Sequence, residues 1–125
     1  MSDAVLDLDV LRPKRRIVKL GGHEVDCSFV PLGITFDLEE ITQKIASLDQ
    51  DEVRKGGAAA KTAFNLAVDM CSIFCSLKHP DMTPQWFQEN VDGVQLNGLA
   101  SEIRRALEMA YAGIDPKNAE AAQVS

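Results

Sequence analysis

The side chains that could do chemistry in this chain of 125 residues are its cysteines and histidines. Cys71, Cys75 and His79 recur every four residues, a spacing that puts them on one side of a helix. His23 and Cys27 would project from one face of a strand. Because zinc is usually held by four cysteine and histidine ligands, four of these five groups could supply a zinc site.

The surrounding sequence nevertheless favours neither a zinc site nor a thiol enzyme. None of the short spacings of common zinc sites, such as Cys-x-x-Cys, occurs. Cysteines on an apolar helix face are usually small buried hydrophobes, and a helix C-terminus opposes the formation of a thiolate. The glycine-rich loops and catalytic motifs of the common enzyme classes are also missing from the sequence. We therefore expect no catalytic residues, no cofactor and no metal.

The composition predicts a single globular domain. Hydrophobic residues make up 46% and charged residues 26% of the chain, enough for a core that needs no disulfides. Three cysteines is an odd number, and the N-terminus lacks the charged-then-apolar pattern of a signal peptide, so we expect a cytoplasmic protein. A net charge of −6 argues against non-specific binding of nucleic acid by the whole domain.

The pattern of polar and apolar residues over 58–79 predicts a long helix at the centre of the fold. The polar residues Asn65, Asp69, Ser72 and Ser76 fall on one narrow stripe, and most of the remaining circumference is apolar. A helix of this kind must be covered by other elements on several sides. Asn65 and Asp69 interrupt the apolar run, which argues against a membrane span.

Residues 16–30 predict a β-hairpin. Gly21-Gly22 separates two alternating runs and supplies the positive φ angles that a tight turn needs. A two-residue turn sets one cross-strand pair of opposite charge and one apolar pair, namely Lys19 with Glu24 and Val18 with Val25. Since a lone hairpin is only marginally stable, we expect it to lie on the helices.

The expected fold class is mainly α (α+β), with the hairpin packed on a bundle of about four helices in a single domain over residues 16–113. The helices are expected at about 36–48, 58–79, 84–91 and 95–112. Thr35 or Asp37 would cap the first, and Thr83 would cap the third. The side chains expected to form the core are Val25, Phe29, Ile41, Ile45, Phe64, Ala67, Met70, Cys71, Phe74, Leu77, Trp86, Leu99, Ile103 and Leu107.

Both ends of the chain are expected to be loosely held: residues 1–15 as a flexible N-terminal arm and residues 114–125 as a disordered tail. The arm mixes apolar residues with Asp7 and Asp9, and basic residues follow it over 12–19. An apolar arm can add to a groove or sheet edge of a partner. The residues expected to bind a partner are Val5, Leu6, Leu8, Val10, Leu11, Arg15 and Arg16. The basic run leaves open an alternative, a small phage or bacterial regulator that binds nucleic acid.

The order of these elements resembles the tail assembly chaperones of long-tailed bacteriophages. The resemblance covers about residues 16–112 and lies in two short motifs and in the layout between them. Residues 18–29, Val-Lys-Leu-Gly-Gly-His-Glu-Val-Asp-Cys-Ser-Phe, form the hairpin and lead into Leu32-Gly33 and a helix. Met82-Thr83-Pro84-Gln85-Trp86 then begins a second helical part, which ends with Ala106-Leu107.

The resemblance implies a binding protein, since the family has no catalytic residues to transfer to this chain. Such chaperones coat the tape measure protein, keep it soluble and recruit tail tube subunits. The partners it implies are therefore the tape measure protein and the tail tube protein, with homo-oligomerisation left open. We expect no membrane partner, and binding of nucleic acid is the less favoured alternative.

Overall fold

The structure, a computed structural model, describes residues 6–114 of the chain. Within this range a short 3₁₀ helix, Leu8–Leu11, precedes two strands and five α-helices. The elements are β1 (Ile17–Leu20), β2 (His23–Asp26), α1 (Leu32–Ala46), α2 (Gln50–Arg54), α3 (Ala58–Cys75), α4 (Pro84–Asn90) and α5 (Gly93–Ile114). The mainly helical α+β fold class is confirmed. The tail predicted over 114–125 lies outside the described residues, apart from Ile114 at the end of α5.

The hairpin has the predicted register. β1 and β2 pair antiparallel, with Lys19 opposite Glu24 and Val18 opposite Val25. Val25 is buried and Val18 packs against the core, so the apolar pair joins the hairpin to the helices.

The turn of the hairpin needs both of its glycines, and Gly21 for two reasons. Gly21 has φ +56° and Gly22 has φ +83°, the left-handed conformations of a tight primed turn. A Cβ atom added to Gly21 would also lie 2.6 Å from the ring of Trp86. The turn therefore packs directly against the first turn of α4.

The first helix begins earlier than the sequence predicted, and its cap is different. α1 starts at Leu32, directly after Pro31, and no side chain caps it. The hydroxyl of Thr35 instead donates to the Pro31 carbonyl at 3.0 Å from within the first turn. Neither Thr35 nor Asp37 is the cap, because Pro31 already ends the extended segment and its fixed φ suits entry into a helix.

The connection predicted between the first helix and the central helix contains the one-turn helix α2. The Asp49 carboxylate accepts hydrogen bonds from the N–H groups of Asp51 and Glu52, at 3.0 and 3.3 Å. This is an ordinary side-chain cap. Gly56, at φ +80°, then ends the turn before α3 begins.

The second half of α3 is the centre of the fold. α1, α2, α4 and α5 all contact this helix. Its residues that are buried from the midpoint onward are Ala67, Val68, Met70, Cys71, Ser72, Phe74 and Cys75. Ser72 therefore does not belong to the exposed polar stripe, and its hydroxyl donates to the Met82 carbonyl at 2.9 Å.

The first half of α3 is covered less than the sequence predicted. Asn65 and Asp69, on the predicted polar stripe, are exposed as expected, but Phe64, expected in the core, is 42% exposed. Phe64 lines an open groove between α3 and the turn from α4 to α5, and Gly93 at the start of α5 lies beside its ring.

The central helix also ends earlier than predicted, at Cys75 rather than at residue 79. Leu77 therefore lies beyond the helix and is 52% exposed, so its assignment to the core is wrong. The helical period places a side chain on the core face only as long as the backbone stays helical.

The remaining predicted core residues lie on the inside of the fold to different degrees. Val25, Ala67, Met70, Cys71, Phe74, Leu99, Ile103 and Leu107 are buried. Phe29, Ile41, Ile45 and Trp86 are half-buried.

The last two helices begin with side-chain caps. Thr83 Oγ1 accepts a hydrogen bond from the Trp86 N–H at 3.1 Å, and Pro84 occupies the first position of α4, as predicted. At the start of α5, Asp92 and Gln95 bond reciprocally to each other's backbone N–H groups, at 2.8 and 3.0 Å. This capping box starts α5 two residues before the predicted position.

Among residues 6–114, one helix, α3, is long and apolar enough to cross a membrane, with a mean hydropathy of 1.2. Of its 18 residues, 39% are buried inside the fold. Core helices of globular proteins often meet the same criterion, so the observation is weak evidence for a span.

The two phenylalanines of α3 give a matched test of which half of the helix is covered. Phe74→Ala should lower the free energy of unfolding by about 3–5 kcal/mol, because it removes a large buried side chain. Phe64→Ala should lower the free energy of unfolding by less than about 1 kcal/mol, because the side chain is partly exposed. Equilibrium unfolding in urea measures both values, and equal losses would contradict the described packing.

Candidate partner-binding site

The base of the N-terminal arm is held against the domain. The guanidinium of Arg12 lies over the Phe29 ring, 4.3 Å from its centroid. The N–H of Arg16 donates to Ser28 Oγ at 2.8 Å, and its side chain forms an ion pair with Glu102 of α5, with Nε 3.1 Å from Oε2. These contacts fix where the arm leaves the domain.

Residues 6–11 of the arm present apolar side chains to solvent. The Asp7 carboxylate accepts a hydrogen bond from the Asp9 N–H at 3.0 Å and caps the 3₁₀ helix. The large apolar residues of the described part of the arm are between 48% and 75% exposed: Leu6, Leu8, Val10 and Leu11. An acidic and apolar segment therefore projects from an anchored base.

The residues predicted to bind a partner therefore differ in accessibility. The four described apolar residues and Arg15 are exposed. Arg16 is engaged with Glu102, so its side chain has a structural role. Val5 lies outside the described residues.

A small cleft opens between the hairpin side of the domain and the end of α3. Its volume is about 40 Å³, and its lining is mostly apolar: Val25, Asp26, Phe29, Pro31, Phe74, Cys75, Leu77, Lys78 and His79. We call it the hairpin cleft. The sequence did not predict this site, because helical periodicity places Leu77 in the core, whereas Leu77 lies at the exposed edge of the cleft.

Two cations, Lys78 and Arg15, favour the ionised form of the one carboxylate that lines the hairpin cleft. The hydroxyl of Ser28 donates to Asp26 at 2.5 Å and is the main reason why the pKa of Asp26 lies below its usual value. Lys78 and Arg15 are close enough to lower that pKa further. Asp26 is therefore ionised near neutral pH and already bonded within the protein.

The three thiols are buried and poorly suited to nucleophilic chemistry. Burial raises the pKa of Cys27 from 9.0 to about 11 and that of Cys75 to about 12, and it also raises the pKa of Cys71. A reactive cysteine needs the opposite shift and access to solvent. All three are free cysteines.

The two histidines attach the hairpin to the segment after α3. His79 Nε2 lies 3.0 Å from the carbonyl oxygen of Glu24, and this contact requires the nitrogen to donate. His23 Nε2 lies 2.9 Å from a carboxylate oxygen of Asp81, and the two imidazole rings are 4.9 Å apart. Within residues 6–114, no group of three or more His, Cys, Asp or Glu side chains is arranged to hold a metal.

A second exposed apolar area lies at the start of α1. Leu32 and Phe36 are both exposed, and the edge of the Phe36 ring meets the Tyr111 ring at a centroid distance of 6.2 Å. A groove between α1 and α5 is lined by Tyr111, by the carboxylates Glu39 and Glu108 and by Arg104. Its two carboxylates distinguish this area from the hairpin cleft, whose lining has one.

Comparison of the chain with known protein families, with curated proteins and with solved structures gives no match.

The burial of the thiols predicts their reactivity. At pH 8 a pKa increase of two units lowers the thiolate fraction about a hundredfold, so the folded protein should react with Ellman's reagent at least that much more slowly than the protein in urea. An Ala46→Cys variant, with a thiol on the exposed end of α1, serves as a positive control. Rapid reaction of a native cysteine in the folded chain would contradict the described burial.

The ion pair at the base of the arm predicts a dependence of stability on pH. The hydrogen bond from Arg16 lowers the pKa of Glu102 below its usual 4.5. A carboxyl group whose pKa is lower in the folded chain stabilises the fold above its usual pKa, and this contribution is lost as pH falls through the lowered value. Glu102→Gln should therefore be less stable than the natural chain at pH 7, with a difference that shrinks below about pH 4.5.

Urea unfolding of both chains between pH 3 and pH 7 measures this difference. Glu108→Gln, on an exposed turn of the same helix, is the control for removal of a carboxylate. If the free energies of unfolding of the natural chain and of Glu102→Gln differ by the same amount at every pH, the ion pair does not contribute to stability.

Proposed function

We propose that this protein is a non-enzymatic tail assembly chaperone, which binds the tape measure protein and helps to recruit tail tube subunits during phage tail assembly. The observation that carries the proposal is the arm, whose apolar side chains are exposed while its base is anchored. The resemblance in element order to such chaperones supports the choice of client. The proposed setting is the cytoplasm of the host cell.

The exposed side chains of the arm, Leu6, Leu8, Val10 and Leu11, form an apolar surface that a client can cover. Contiguous exposed apolar surface usually marks a site of interaction. Each aliphatic side chain of the arm that a client covers would contribute roughly 1.5–3 kcal/mol. A short segment with several such side chains can therefore bind without a preformed deep pocket, as peptide segments do in the grooves of their partners.

The composition of the arm suits a long, aggregation-prone helical client. Asp7 and Asp9 alternate with aliphatic residues, so the arm brings negative charge to the apolar surface that it covers. Net charge keeps protein complexes soluble, and the whole chain carries −6. Coating by such a protein would add charge to a client while its apolar face is covered.

The state of the thiols and imidazoles supports a role in binding rather than catalysis. Cys71 and Cys75 are buried with raised pKa values, and His79 and His23 hold the hairpin in place. Each of these groups therefore has a structural use in the fold.

The alternative function, a nucleic-acid-binding regulator, would use the basic run over 12–19. Two of its cations are engaged in the domain, since Arg12 stacks on Phe29 and Arg16 pairs with Glu102. A basic patch binds phosphate through cations that are free to reach it. We rank this function second for that reason.

Co-expression with a tape measure protein tests the proposed function. The natural chain should raise the soluble fraction of the client, measured by quantitative blotting of cleared lysates. A Leu6→Asp/Val10→Asp variant should weaken binding by roughly tenfold or more, because two apolar contacts are lost, and should leave the client insoluble.

The matched control is Leu32→Asp/Val94→Asp, which changes two equally exposed aliphatic residues on α1 and α5 and should keep the activity. No gain in client solubility with the natural chain would overturn the chaperone proposal. Equal gain with the arm variant would leave a chaperone that binds its client through another surface.

A further inference from the structure

We propose that the hairpin cleft receives the arm of a second copy of this chain. Leu8 would enter the cleft, Asp7 and Asp9 would meet the cations around it, and the two copies would exchange arms reciprocally. The inference concerns a contact between copies and does not depend on the tape measure protein as client.

The volume of the hairpin cleft limits the size of the group that can bind in it. A buried water needs about 10–15 Å³ on the same scale, so a volume of about 40 Å³ holds roughly three waters, or one branched aliphatic side chain. Sites for small organic ligands are typically larger than about 300 Å³. Phe29, Phe74 and Leu77 give the cleft apolar walls, which suit a single leucine.

The charges around the cleft favour certain residue types on either side of that leucine in the sequence. Lys78 lines the cleft, Arg12 lies over the Phe29 wall, and Arg15 acts on the Asp26 carboxylate. Asp26 is the single carboxylate in the lining and is already bonded to Ser28. The surroundings therefore favour a leucine that is flanked by carboxylates.

The arm carries the required pattern at Asp7-Leu8-Asp9, with Leu8 exposed. The chain has one other leucine between two acidic residues, Leu38, and that side chain is fully buried in α1. The arm is therefore the segment of this chain that matches the cleft in both size and charge.

The described part of the arm, residues 6–15, does not occupy the cleft of its own copy. The 3₁₀ helix is closed by the Asp7 cap at one end and by the Arg12 N–H, which donates to the Asp9 carbonyl at 3.1 Å, at the other. Leu8 is left exposed in this conformation. Since every copy carries one arm and one cleft, two copies can satisfy each other in a symmetric, isologous pair.

Sedimentation equilibrium of the full chain tests the exchange. A dimer should form with a dissociation constant that rises with salt, because the contact includes exposed charges. Lys78→Glu should raise the dissociation constant by about tenfold or more, as expected for reversal of a close charge pair. Adding Asp7→Lys/Asp9→Lys to that variant should restore dimerisation.

Lys61→Glu is the matched control, since it makes the same charge change at an exposed position in the first turns of α3. It should leave the dissociation constant unchanged. A chain that is monomeric at all concentrations, a dimer unaffected by Lys78→Glu, or a failure of the charge exchange to restore the dimer would each overturn the proposal.

Disulfide trapping identifies which copy supplies the arm. Because Cys75 also lines the cleft, both chains carry Cys75→Ala. A Leu8→Cys chain mixed with a Leu77→Cys chain should then give a covalent heterodimer, while the buried thiols of Cys27 and Cys71 stay unreacted. A chain with both substitutions that closes into a covalent monomer would overturn exchange in favour of the copy's own arm. No client is present in these tests, so their failure is separate from failure of the chaperone proposal.

Discussion

The constraint on which the fold depends is the burial of the second half of α3. Each large apolar side chain buried there, such as Met70 or Phe74, contributes roughly 1.5–3 kcal/mol, but only if other elements close around the helix. α1, α4 and α5 are among the helices that pack against α3, and the hydroxyl of Ser72 donates to the Met82 carbonyl so that the next segment starts in the right place. The same burial raises the pKa of Cys71 and Cys75, so the packing that stabilises the domain also makes its thiols unreactive.

The hairpin depends on the end of this helix and determines where the arm leaves. Once α3 ends, His79 binds the Glu24 carbonyl, and the turn at Gly21 packs against Trp86 of α4. The hairpin, a two-stranded sheet by itself within residues 6–114, is thereby held beside the end of α3, and the hairpin cleft remains between the two. Arg16 connects the start of the hairpin to α5 through Glu102. The arm and the cleft are therefore both consequences of how the hairpin is attached.

The sequence predicted those features that local rules determine and missed those that depend on where a covering element stops. A Gly-Gly turn with positive φ angles fixes the pairing of Lys19 with Glu24, so the register could be read directly. The period of α3 identified the face that carries Phe74 but could not show that cover ends before Phe64, or that the helix ends before Leu77. The hairpin cleft was missed for the same reason, because its edge is formed by a residue that helical periodicity assigned to the core.

Taken together, the two proposals give the arm two competing partners, a second copy of the chain and the client. If a second copy holds the arm through Leu8, a client that needs the same apolar segment must compete with that copy, and the apparent affinity for the client is reduced by the fraction of arms already engaged. A contact through one leucine and a few exposed charges is weak, so a long client that engages many copies at once would displace it by multivalency. The exchange would cover an apolar segment while no client is present, which limits non-specific association. A weak contact between copies thus suits a protein that must stay soluble by itself and still release its binding segment to a large client.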